Sequence, residues 1–137
     1  MRKHFKGILI GGVIIALALW RILAPDGRGG SGEALAQVRV PELNAAETAG
    51  KAVFDKSCAR CHGENAAGKD GFAPPLVHRI YEPNHHADIA FQRAAKLGVR
   101  AHHWTFGNMP PVKGISDEEI GQVVTYVRAL QRANGIN

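Results

Sequence analysis

Both cysteines of this chain stand two residues apart, in Cys58-Ala59-Arg60-Cys61, and a histidine, His62, follows the second directly. No other stretch narrows the open folds as much, because each chemistry available to a C-x-x-C pair demands different surroundings. A redox dithiol of the thioredoxin kind sits where a strand turns into a helix. The residues before Cys58 have helical rather than strand character, which speaks against it. A zinc site needs two further ligands at set spacing. Here His78 follows Cys61 after 16 intervening residues and His85 follows His78 after 6, outside the usual windows. A disulfide across a two-residue gap closes a strained ring. The remaining reading uses all three residues, since C-x-x-C-H is the attachment sequence of a c-type haem. Each thiol adds to one porphyrin vinyl group, and the adjacent histidine supplies the fifth ligand to the iron.

Such attachment is made outside the cytoplasm, and the N-terminus carries an export signal. Gly7 to Ala24 is apolar except for Arg21. As a helix these residues span about 27 Å, close to the roughly 30 Å thickness of bilayer hydrocarbon. Arg21 can snorkel to the headgroups, Trp20 suits the same interface, and Arg2, Lys3 and Lys6 keep the N-terminus in the cytoplasm. The reading is a transmembrane anchor over residues 1–24. The rival is a cleaved signal peptide, for which "ALAQ" at 34–37 offers a site, though it lies well beyond the apolar run. Residues 1–30 carry a net +4 and residues 31–137 only +1. The basic balance therefore belongs to the N-terminus, and nucleic-acid binding by the remainder is excluded on charge grounds.

Residues 25–43, rich in glycine and polar side chains at their start, read as a flexible linker. A domain over 44–137 follows, with no strand alternation and no repeats. Asn44, with Glu47 three positions on, caps a helix that runs into the cysteine motif. A middle helix is expected from Asp88 to about Leu97, stopped by Gly98. Ser116 and Glu119 form a capping box for the last helix, in which Ile120, Val123, Val124, Val127 and Leu130 make one apolar stripe. The segments 63–87 and 99–115 are loops. A domain of about 95 residues with roughly forty in loops has little apolar surface of its own, so a bound group is expected to fill its middle.

A haem iron takes a sixth ligand or stays open. The chain has two methionines, Met1 and Met109. Met109 lies in "FGNMPPV", 47 residues after His62, on a loop stiffened by Pro110 and Pro111. It is badly placed for packing on a helix face, so ligation is the preferred role. The competitors are His78 and the pairs His85-His86 and His102-His103. Loop histidines are most simply solvated or hydrogen-bonded; a second metal site, with copper first for clustered imidazoles, is the alternative. Trp104 and Arg79 are assigned as donors to the haem propionates, against core packing or exposure.

With "CARCHG", "APPL", "NMPP" and a terminal helix reading "VVTYVRALQ" in that order, residues 44–132 resemble class I monohaem cytochrome c in a bacterial membrane-anchored form. The resemblance implies an all-α cytochrome c fold of three to five helices around one covalently bound haem c, preceded here by the transmembrane helix. It implies thioethers from Cys58 and Cys61 and axial ligation by His62 and Met109. It also implies a proline carbonyl, Pro74 first and Pro75 second, accepting from the ligand histidine, with Leu76 packed on the porphyrin. Gly50 and Phe54 of the first helix are then expected to meet Tyr126 and Val127 of the last.

The functional expectation is a one-electron carrier rather than an enzyme, a monomer anchored in the bacterial inner membrane with its haem domain on the periplasmic face. Its partners would be membrane redox complexes that donate and accept electrons. A haem-based ligand sensor and a histidine-rich copper-binding module are the alternatives.

Overall fold

The computed structural model describes residues 30–137, so the anchor read at 1–24 and the first part of the linker lie outside the described residues. Among the described residues, no helix is long and apolar enough to cross a membrane. They form four α-helices and no extended strand: α1 (Ala45–Ser57), α2 (Ala59–His62), α3 (Asp88–Leu97) and α4 (Asp117–Ala133).

The capping residues act as the sequence suggests. The Asn44 Oδ1 accepts from Glu47 N at 3.0 Å while the Glu47 carboxylate accepts from Asn44 N at 3.0 Å, satisfying two orphan donors of α1. Ser116 and Glu119 repeat the arrangement at α4, at 3.1 and 2.8 Å. The α3 helix spans the expected residues and stops at Gly98, whose φ of 77° only glycine adopts without strain.

The core is the crossing of α1 and α4. Gly50 of α1 lies against the backbone of Gln122, so closely that a side chain there would overlap its carbonyl. That approach lets Phe54 and Tyr126, both fully buried, meet at a ring distance of 5.6 Å. Val123, Val127 and Leu130 of α4 join this cluster with Ala66, Val77 and Ile136, while Ile115, Ile120 and Val124 form a second one with Phe91 and Ala95 of α3. All five residues of the predicted stripe are buried.

Where a linker was expected, residues 30–43 follow the domain surface. Leu35 and Ala36 donate to the Ala67 carbonyl, and Gly32 N donates to that of Asp70. Arg39 N donates to Asn134 Oδ1 at 2.9 Å, and its guanidinium donates to the Ala133 carbonyl at the end of α4. Val38 and Leu43 pack on the main core. The segment is held because its backbone donors find turn carbonyls and the Asn134 side chain, while the Arg39 guanidinium meets the carbonyl at the end of α4.

Candidate functional site

The cysteine motif occupies a single tight turn after α1. Cys58 N donates to the Phe54 carbonyl, ending α1, and the Cys58 carbonyl accepts from both Cys61 N (3.1 Å) and His62 N (3.0 Å). Cys58 therefore stands at the N-terminal end of the short helix α2, which carries Cys61 and His62. Gly63 ends it with a φ of 73°, and a Cβ there would lie 2.3 Å from the Gly68 carbonyl. Both thiols are free, with Cys61 exposed and Cys58 half-buried. Burial, helped by the neighbouring Cys61, pushes the Cys58 thiol up to about 11, so it stays protonated at neutral pH until it reacts.

His62 is buried, and its Nδ1 donates to the Pro74 carbonyl at 3.0 Å. With the proton on Nδ1, Nε2 keeps its lone pair, the state a metal ligand requires. Burial lowers the His62 pKa, opposed by the Pro74 carbonyl, so the ring is neutral. Of the two prolines considered, Pro74 is the acceptor. Leu76 is partly buried against the main core and donates its N–H to the Ala66 carbonyl.

Met109 sits on the loop between α3 and α4. It pairs with Val99 through two backbone hydrogen bonds of 2.9 Å, so residues 99–109 form a closed loop. Gly98 permits this closure, because a Cβ there would lie 2.5 Å from the Met109 carbonyl. Asn108 Oδ1 accepts from Ala101 N and pins the same loop from within.

Trp104, on that loop, packs edge-on against His78 at 5.1 Å. Its indole Nε1 is buried with no hydrogen-bond partner. The Tyr81 hydroxyl lies nearby, its pKa raised by burial and eased slightly by this N–H, but the approach falls short of a hydrogen bond. A buried orphan donor is costly, so an acceptor belongs there. Arg79 follows His78 directly and is exposed, with no guanidinium hydrogen bond among the described residues. Trp104 and Arg79 thus border the same histidine.

These features test whether haem c fits. Two free thiols and a correctly tautomerised imidazole share one turn. A buried indole N–H lacks the acceptor that a propionate would supply. The residues fit the group.

Sequence reasoning missed Arg128. This residue is buried in α4, and its guanidinium donates to Asp88 Oδ1 (2.8 Å), the Tyr81 carbonyl (2.7 Å), Gln131 Oε1 (2.6 Å) and the His86 carbonyl (2.5 Å). It also lies over the Phe91 ring at 4.9 Å. Gln131 extends the clamp, with its Nε2 donating to the Leu76 and Tyr81 carbonyls. One cue was present: Arg128 and Gln131 are spaced i, i+3 immediately beside Val127 and Leu130 of the apolar stripe.

The histidine pairs converge. His85, His86 and His103 bring ligand-type nitrogens within 4.8 Å of one another. The ring of His102 lies 4.2 Å from that of His103. Desolvation, then the like charges of His102, His86 and His85, lower the His103 pKa.

With this geometry in hand, a family model described as Cytochrome c matches residues 47–131, more than half of the chain. No curated protein and no solved structure matches.

Proposed function

The chain belongs to the cytochrome c family, as a class I monohaem member with covalently attached haem c that carries electrons, and we propose that it does so with His62 and Met109 as axial ligands while anchored in a membrane. One observation supports His62 as a ligand: its buried ring donates from Nδ1 to the Pro74 carbonyl at 3.0 Å and leaves Nε2 free beside the cysteine pair.

When bound, haem c supplies a one-electron iron couple. The residues of the chain set its surroundings. Cys58 and Cys61 would hold the porphyrin at the turn that forms α2. His62 holds one orientation because Pro74 fixes its ring, and its burial keeps water from that side. Met109 offers a soft thioether on a loop whose ends are closed by Val99 and whose approach depends on Gly98. A sulfur ligand raises the potential, and filling both axial positions removes the open site that oxygen or substrate chemistry needs. The Trp104 indole and the Arg79 guanidinium are suited to the propionates, the first by its orphan N–H and the second by its charge. A carrier built this way would exchange an electron with little nuclear rearrangement.

The apolar run 7–24 behind Arg2, Lys3 and Lys6 supports a single N-terminal span with the haem domain on the periplasmic face of a bacterial inner membrane. Partners of matching chemistry are membrane redox complexes, a quinol-oxidising donor and a terminal oxidase or other acceptor, met by a monomer with no enzymatic role of its own. A membrane-held domain meets such partners at raised local concentration.

The test is Met109→Ala in the matured protein. The oxidised wild type is expected to show a sulfur-to-iron charge-transfer band; the variant should lose it and have a lower potential. A band that is absent from the wild type, or that survives the substitution, overturns the ligand assignment. Carbon monoxide binding by the reduced wild type under native conditions would point to a ligand sensor instead.

A further inference from the structure

We propose that His85, His86 and His103 form a second metal site, separate from the haem, that takes a divalent transition-metal ion and binds copper(II) more tightly than zinc(II). The two loops that build it come from different parts of the chain. His85 and His86 end the turn before α3, and His103 stands in the closed loop 99–109.

The distances fit a trihistidine site that has yet to close on its ion. The three ligand nitrogens lie within 4.8 Å of one another. Metal–imidazole bonds of 2.0–2.1 Å place tetrahedral ligand pairs about 3.4 Å apart, so the nitrogens must draw in by about 1.4 Å. His85 and His103 are exposed and can turn inward, a motion side-chain rotamers supply. His86 is the half-buried fixed point. Its Nδ1 donates to the Ile80 carbonyl at 2.6 Å, leaving Nε2 as the ligating atom. That is the arrangement seen at His62 with Pro74, and it is how metal-binding histidines are generally oriented. His102 carries it as well, with Nδ1 on the Arg100 carbonyl at 2.8 Å, and stands beside His103 as a fourth imidazole.

The backbone beneath is held in advance. The Glu82 carbonyl accepts from both His85 N (3.0 Å) and His86 N (2.8 Å). The buried Arg128 ties the His86 carbonyl and the Asp88 carboxylate to α4. Four imidazoles stand at ring distances of 4.2 to 6.4 Å from one another, so one ion would have several nitrogen donors in reach. The cluster contains no carboxylate, which disfavours magnesium and calcium. All-imidazole donors suit copper and zinc, and copper(II) stands highest in the divalent affinity order.

The site concerns residues outside the proposed axial set, so its test stands apart from that of Met109. Full-length, haem-loaded protein without a polyhistidine tag is stripped with a chelator and titrated with copper(II) or zinc(II) chloride. Metal retained after gel filtration is counted against haem, and bound copper is examined by electron paramagnetic resonance. The expected result is one copper per haem, nitrogen hyperfine structure in its spectrum, copper displacing zinc, and an unchanged haem spectrum. His85→Gln with His103→Gln, both at exposed positions, should keep the haem spectrum and helix content. Affinity should fall by about 10- to 100-fold or more per lost imidazole, since losing even an outer-shell partner costs that much. His86→Gln should weaken binding likewise, whereas His4→Gln should leave it unchanged. No retained copper in the wild type, retention that survives the paired substitution, or copper that alters the haem bands would each overturn the assignment.

Discussion

Replacing Gly50 with alanine is a test in which local and tertiary effects have opposite signs. In the interior of an exposed helix, glycine to alanine stabilises by roughly 0.8–1 kcal/mol, because alanine loses less backbone entropy on folding. At Gly50 the new Cβ would stand 2.0 Å from the Gln122 carbonyl oxygen, 2.8 Å from its carbon and 3.0 Å from Tyr126 Cβ. Ordinary contact begins near 3.4 Å, so α1 and α4 must separate by about 1.4 Å at their crossing. The nearest obstacles are backbone atoms of a helix, which cannot swing aside. Separation on that scale would loosen the Phe54–Tyr126 contact, which now stands at 5.6 Å between ring centres. Overpacking of this kind costs about 1–3 kcal/mol before any loss of neighbouring contacts. Because the obstacles are backbone, the upper end of that range applies, and net of the propensity gain Gly50→Ala should destabilise by about 2 kcal/mol.

Gly121, one position before Gln122 on α4, provides the control. A Cβ there meets nothing within 4 Å. Gly121→Ala should therefore stabilise by about 0.5–1 kcal/mol. Both variants are compared with wild type by thermal denaturation of the oxidised, haem-loaded protein, followed by far-ultraviolet circular dichroism. In a domain of this size each kcal/mol moves Tm by about 4–8 °C, so the two should shift in opposite directions and be easily separated. If Gly50→Ala proves neutral or stabilising, the close crossing of α1 and α4 is not how the core is built.

The remaining predictions concern the clamp and the anchor. Arg128→Met should keep the fold but destabilise it by about 3 kcal/mol, because two partly buried carbonyls and the buried Gln131 lose a charged donor while the exposed Asp88 carboxylate returns to water; a loss under about 1 kcal/mol in equilibrium denaturation would show the clamp to be dispensable. Alkaline carbonate washing should leave the full-length protein in the membrane pellet, and recovery in the supernatant would identify the cleaved form.

The helices were readable because their signals are local. Ser116 and Glu119, or Asn44 and Glu47, cap a helix through atoms three residues apart, and the stripe from Ile120 to Leu130 follows from helical periodicity. The cysteine motif was readable for the same reason. Gly50 was placed by family resemblance alone, since nothing in its neighbours marks it as a crossing point. The loops were opaque. Arg128 holds them through the carbonyls of Tyr81 and His86, and every residue has a carbonyl, so the acceptor leaves no mark in the sequence. The hold on residues 30–43 escaped notice likewise, because its acceptors are turn carbonyls and the end of α4. The histidine pairs were visible as pairs, but their convergence depends on how two loops return to one edge of the domain.

That division between apolar and polar construction bears on how the two sites behave. His62 is positioned from the main apolar core: α1 leads into its turn, and Pro74 and Leu76 lie beside residues that pack on Phe54 and Tyr126. The histidine cluster is positioned by hydrogen bonds instead, from Glu82, Arg128 and the carbonyls of Ile80 and Arg100. Hydrogen bonds at a partly exposed edge open more readily than a close-packed core, because water can replace each partner as it leaves. Local opening should therefore begin at the turn carrying His85 and His86 and reach the cysteine turn last. An ion bridging that turn to the 99–109 loop would tie the more mobile edge to the segment bearing Met109, which makes the occupancy of the histidine site a factor in how firmly that loop is held.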